Sequence, residues 1–170
     1  LSKGAIRASD EITVPPKILF VGDCTIATFG NFSASTGKAK SKKTFNISAM
    51  VAAAVTNSTV LNYRACLPEG KRTILYFDTE QSKDHCHTVL ERIYRLSGLS
   101  LKNDDPRLMF WGLREDTPKL RIAVIDYALR KYEGVGLVII DGLRDLMYDI
   151  NNGKEATDVM TVLMAWTSVY

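Results

Sequence analysis

The segment Gly37-Lys38-Ala39-Lys40-Ser41-Lys42-Lys43-Thr44 packs four lysines into eight residues and ends on a Lys-Thr pair. A loop of this kind, set between a strand and a helix, turns backbone N–H groups and the helix N-terminus toward anionic phosphate. Its spacing fits the pattern Gly, four residues, Gly, Lys, Ser or Thr at every fixed position but one. Lys42 stands where the second glycine belongs. Under this reading Lys43 reaches the β- and γ-phosphates and the Thr44 hydroxyl binds Mg²⁺. ATP and Mg²⁺ are therefore the expected ligands. Gly37, Lys38, Ala39, Lys40, Ser41, Lys42, Lys43, Thr44 and the following Phe45 form the expected nucleotide-binding set.

Glycine is used at the Lys42 position because the backbone is tight and phosphate passes close to it. A lysine fits there if its φ/ψ is ordinary and its side chain points away; otherwise strain of ~1–3 kcal/mol weakens the site. Lys42 either tolerates the position or is itself a cation on the phosphates. The plainer alternative is a solvated lysine-rich loop.

Outward from the loop, Ile18-Leu19-Phe20-Val21 and Thr25-Ile26-Ala27-Thr28 read as two strands joined by Gly22-Asp23, a hairpin. A helix begins near Lys43, with Ile47, Met50, Val51 and Ala54 at helical spacing. Arg72–Phe77 is a strand ending on Asp78-Thr79-Glu80, followed by a helix that Gly98 stops. Leu108–Trp111 is a further strand, and Asp116-Thr117-Pro118 starts a helix through Ile122, Ile125 and Leu129. Leu137–Ile140 is an apolar strand ending at Asp141-Gly142, and 154–170 reads as a last helix. Strands alternate with helices, and the central strands are continuous apolar runs. That pattern predicts an α/β fold with a mostly parallel sheet covered on both faces.

Two strand ends carry acid. An apolar strand closing on Asp141 places a carboxylate where it can hold Mg²⁺, so Thr44 and Asp141 are the candidate metal ligands. The strand closing on Asp78 and Glu80 brings a second acid to the same sheet edge. Glu80 is the candidate general base, polarising the attacking water. The competing reading is an acid favoured by a helix dipole.

The order of these motifs resembles the RecA/DnaB superfamily of P-loop ATPases, here of the AAA family ATPase type. Thr28-Phe29-Gly30-Asn31-Phe32, Ser41-Lys42-Lys43-Thr44-Phe45 and Asp141-Gly142-Leu143-Arg144-Asp145-Leu146 look most like the RepA-like helicase ATPases of plasmids and mobile elements. The resemblance covers roughly residues 15–170. It implies a RecA-like core at 18–170 behind an extended N-terminal segment at 1–17, with Glu80 as base and Asp141 as metal ligand. It also implies single-stranded DNA as partner, a homo-oligomer such as a hexameric ring, and a neighbour-derived arginine. A sensor strand of the superfamily would fall after Tyr170, so the chain is expected to be part of a longer polypeptide. A second reading is a partitioning or regulatory ATPase resembling ParA/MinD, with Lys38 as signature lysine. A third is a non-catalytic module whose basic loop binds DNA or a partner.

Composition sets outer bounds. In 170 residues, 46% apolar and 24% charged, there is material for one packed domain. The net charge of +3 is mild and does not by itself imply nucleic acid. No apolar run is long enough to cross a bilayer, and no leader pattern opens the chain. Cys24, Cys66 and Cys86 lack paired spacing, which suits reduced thiols in the cytoplasm. His85-Cys86-His87 reads as helix surface, because alternate helical residues point apart. Trp111 and Trp166 read as core or subunit contacts, and Arg64, Lys71 and Arg72 as a solvated loop. Arg144 and Asp145 are either a surface ion pair or part of a route from nucleotide to DNA.

Overall fold

The computed structural model describes residues 4–37, 42–149 and 151–169. Lys38, Ala39, Lys40 and Ser41, expected in the nucleotide-binding set, lie outside the described residues.

A three-stranded parallel sheet forms the centre, in the order β6 (Leu108–Gly112), β5 (Thr73–Asp78), β7 (Val135–Asp141). Register aligns Asp78 with Gly112 on one side and with Asp141 on the other. The acidic strand ends therefore share one edge. Side chains of β5 alternate between two cores, as the period of a strand dictates. Ile74 and Tyr76 pack with α1 (Lys43–Thr56) and α2 (Lys83–Ser97). Leu75 and Phe77 pack with α3 (Pro118–Lys131) and α4 (Gly153–Val169) on the other face. All four β5 side chains are fully buried. Helices thus cover both faces of a parallel sheet, as the alternation of motifs predicts.

The helix ends are set by local chemistry. Gly98 caps α2 in the left-handed region at φ 69°. Thr117 accepts a hydrogen bond from the Leu120 N–H at 3.3 Å, and Pro118 occupies the first helical turn of α3. Between β7 and α4, Leu143–Leu146 forms a single 3₁₀ turn.

A second sheet is antiparallel, ordered β2 (Cys24–Thr28), β1 (Lys17–Val21), β4 (Tyr63–Ala65), β3 (Thr59–Val60). The hairpin read at 18–28 is its outer half. This placement agrees with the hairpin expected at 18–28. The strand preceding the lysine-rich loop is β2, and it belongs to the antiparallel sheet, not to the parallel one. The reason is local: Gly22 at φ 53° folds β2 back on β1, and the Phe29 N–H continues that pairing to the Pro16 carbonyl at 2.8 Å. Residues 29–37 carry no strand. Among the described residues β7 has a strand partner on one edge only.

Arg64 is likewise a strand residue and not a loop cation; its guanidinium lies 3.8 Å from the centroid of the Phe20 ring. Trp111 stacks on Phe77 at 4.7 Å within the second core. The Trp166 indole packs there too and donates to Asp126 at 3.2 Å. No described helix is long and apolar enough to cross a membrane.

Candidate nucleotide site

The site is built where α1 begins and where β5 and β7 end. Lys42 caps α1 at φ 58°, ψ 27°, in the left-handed region. An ordinary φ/ψ for this lysine is therefore not what the structure shows: the position keeps the conformation that favours glycine while carrying a side chain. Lys42 is exposed. The next residue, Lys43, donates from Nζ to the Gly37 carbonyl at 3.3 Å, so its ammonium reaches back to Gly37. The first turn of α1 contains no acid, leaving its free N–H groups and partial positive charge for an anion.

Thr44 and Asp141 are far apart in sequence and adjacent in space. The Thr44 hydroxyl donates to Asp141 Oδ2 at 3.3 Å. Tyr76 donates its phenol to the same oxygen at 3.2 Å. Asp141 is only 8% exposed. Burial raises the Tyr76 phenol far above its ordinary range, and the Asp141 and Asp78 carboxylates add to this, so it stays a donor. A hydroxyl and a carboxylate oxygen at a strand edge match the hard-oxygen preference of Mg²⁺, which binds few protein ligands and keeps several waters. Thr44 and Asp141 would hold that ion, which on binding neutralises phosphate charge. Among the described residues no cluster of three or more His, Cys, Asp or Glu forms a metal site, and His85 and His87 both lie on the exposed face of α2.

Asp78 and Glu80 divide their work. Asp78 is fully buried. Its Oδ1 accepts from the Glu80 and Gln81 N–H groups at 3.0 and 2.8 Å, and its Oδ2 from Gln81 Nε2 at 3.1 Å. Burial lifts its carboxyl above the ordinary value, while the two backbone donors oppose the shift. Asp78 is thus spent on shaping the turn that presents Glu80. Glu80 is exposed to a cavity of about 560 Å³, lined also by Gly37, Lys43, Thr79, Arg114, Arg121, Arg144 and Asp145. Burial raises its carboxyl, the Asp141 and Asp145 carboxylates push it further, and Lys43 and Arg144 pull it back. A carboxylate with raised basicity facing a phosphate-sized cavity has the character of a proton acceptor.

Phe45 lies at the edge of this arrangement. Its ring is 43% exposed, with the Arg92 guanidinium 5.9 Å from its centroid, and it does not line the cavity.

The residue pattern alone does not reveal Thr79, Arg121 or Tyr76. Thr79 Oγ1 sits 2.8 Å from the Gly142 carbonyl, 3.0 Å from that of Asp141 and 3.2 Å from Asp145 Oδ2, tying the Glu80 turn to the end of β7. Arg121 did leave a signal: it shares the buried stripe of α3 with Ile125, Ala128 and Leu129, where an apolar residue is the norm.

A family model described as "AAA domain" matches residues 17–169. The chain belongs to that family. The family is one of AAA-type P-loop ATPases of the RecA/DnaB-like kind, which typically use ATP and Mg²⁺. No curated protein and no solved structure matches it.

Proposed function

We propose that this AAA domain binds and hydrolyses ATP·Mg²⁺ to drive movement on DNA, as a RepA-like helicase ATPase or a related DNA-associated motor. In this reading Lys43 holds the phosphates, Thr44 and Asp141 hold the ion, and Glu80 takes a proton from the attacking water. The observation that carries the site assignment is the Thr44–Asp141 contact at 3.3 Å, formed beside a cavity that Lys43 and Glu80 both line. Nothing in composition or a random loop would bring those four side chains together. Single-stranded DNA as substrate and a homo-oligomeric ring follow from the resemblance, a cytoplasmic setting follows from the cysteines without paired spacing, and all three are part of the proposal.

The test is thermal. At ATP·Mg²⁺ concentrations about 100-fold above Kd, ligand binding stabilises a fold by ~2.7 kcal/mol, or roughly 5–10 °C for a domain of this size. Lys43→Ala abolishes the shift. A wild-type chain with an unchanged Tm at millimolar ATP·Mg²⁺ overturns the reading.

Lys42 supports a second reading, in which the domain binds nucleotide without turning it over, because a side chain in the left-handed region strains the loop. ATP bound at full occupancy with no phosphate released, with or without single-stranded DNA, would favour it.

A further inference from the structure

The cavity carries more positive charge than its lysine accounts for. Four of its lining side chains are cationic (Lys43, Arg114, Arg121, Arg144) and two anionic (Glu80, Asp145). The three arginines come from elements that no phosphate-loop pattern includes: the segment after β6, the first turn of α3 and the 3₁₀ turn after β7.

Arg121 is the anchor. It is 9% exposed. Its guanidinium donates to the carbonyls of Leu113 at 2.9 Å, Arg114 at 2.7 Å and Asp145. It thereby clamps two loops from different strand ends to one buried group. The ion pairs among the described residues do not include Arg121 or Arg114. A buried cation solvated only by carbonyl oxygens leaves its charge on the cavity wall. Arg114 and Arg144 are hung from the clamped backbone with exposed side chains. Arg144 pairs with Asp145 at 3.5 Å and is 72% exposed, a contact weak enough to exchange for a better anion.

We infer that Arg114 and Arg144 grip the terminal phosphate of the bound nucleotide from within the same chain, so that the site distinguishes a nucleoside triphosphate from a diphosphate. The inference rests on the ATP reading above. Lys43 and Glu80 bracket the place of the reacting phosphate, and the arginine wall shares that cavity. Planar guanidinium forks match phosphate oxygens two at a time. A diphosphate has no group to offer them, whereas the α- and β-phosphates stay with Lys43 and the start of α1.

The measurement is competition against a fluorescent ADP, with Mg²⁺, by ADP and by a non-hydrolysable ATP analogue, on the wild-type chain and on Arg114→Ala and Arg144→Ala. The wild type prefers the triphosphate. Each substitution weakens triphosphate binding by about tenfold, the value of one hydrogen bond to a charged group, and changes diphosphate binding by less than about twofold. Arg114→Lys and Arg144→Lys recover part of the loss. Both positions are exposed, so circular dichroism should show unchanged folding. Equal losses for both nucleotides, or none, overturn the inference and leave the nucleotide site standing. A wild type that binds neither nucleotide instead removes the ATP reading itself.

Discussion

Lys42 holds φ 58° without the freedom of a glycine, at a cost of roughly 1–2 kcal/mol. Lys42→Gly relieves that cost, raises Tm by a few degrees and keeps or tightens ATP affinity. If affinity falls and its salt dependence weakens, Lys42 is a phosphate cation and not merely tolerated. Glu80 gives a second, pH-resolved test. Its folded carboxyl lies above the ordinary value because of burial and the neighbouring Asp141 and Asp145. Such a group favours folding below its unfolded pKa, and the advantage is lost as pH rises through the folded pKa. At pH 8 the ionised Glu80 therefore works against the fold. Glu80→Gln should melt higher than wild type at pH 8, and the difference should vanish as pH falls below the ordinary glutamate range. The same variant lowers hydrolysis by ~10²–10⁴-fold, the worth of a general base, and retains ATP binding. Hydrolysis at the wild-type rate would remove Glu80 from the mechanism.

The turn after β7 leaves no room for a side chain. Gly142 has φ 103°, and a Cβ there would lie 2.1 Å from Thr79 Oγ1 and 2.7 Å from Glu80 Cγ. Gly142→Ala must push the Glu80 turn away from β7, and costs on the order of 3 kcal/mol in urea unfolding. Stability within 0.5 kcal/mol of wild type would show that the two strand ends are less tightly joined than the contacts indicate. At this scale much was readable in advance. Thr117-Pro118, Gly98 and the apolar runs at 74–77 and 137–140 announce their elements because caps and periodicity are local. The hairpin β3–β4 gave no such warning: its connection, Leu61-Asn62, lacks glycine and sets Leu61 at φ 53°. Nor did the sequence show that β4 and β3 extend the β1–β2 hairpin into a four-stranded sheet, since pairing partners are chosen by tertiary contacts. The same division runs through the site. Lys43-Thr44 and the two acidic strand ends are spaced motifs. The places of Arg121, Thr79 and Tyr76 depend on loops meeting, which no spacing encodes.

β5 joins the molecule's two cores, because Ile74 and Tyr76 enter one and Leu75 and Phe77 the other. Ile74→Ala and Leu75→Ala should each cost about 2–5 kcal/mol, and each should leave one cooperative melting transition. Two separated transitions in either variant would mean that the faces fold independently. α1 links the candidate site to the antiparallel sheet. Its first turn lies at the candidate site. Its far end is hooked by Asn57, whose side chain accepts from the Leu67 N–H at 2.6 Å and donates to the Leu67 carbonyl at 3.4 Å. Along its length it packs on β3 and β4. Fourteen helical residues make a rod about 21 Å long at 1.5 Å per residue, which does not shorten under load. Any inward pull on the first turn would therefore be passed along the helix to the small antiparallel sheet, with its Arg64–Phe20 stack, at the other end.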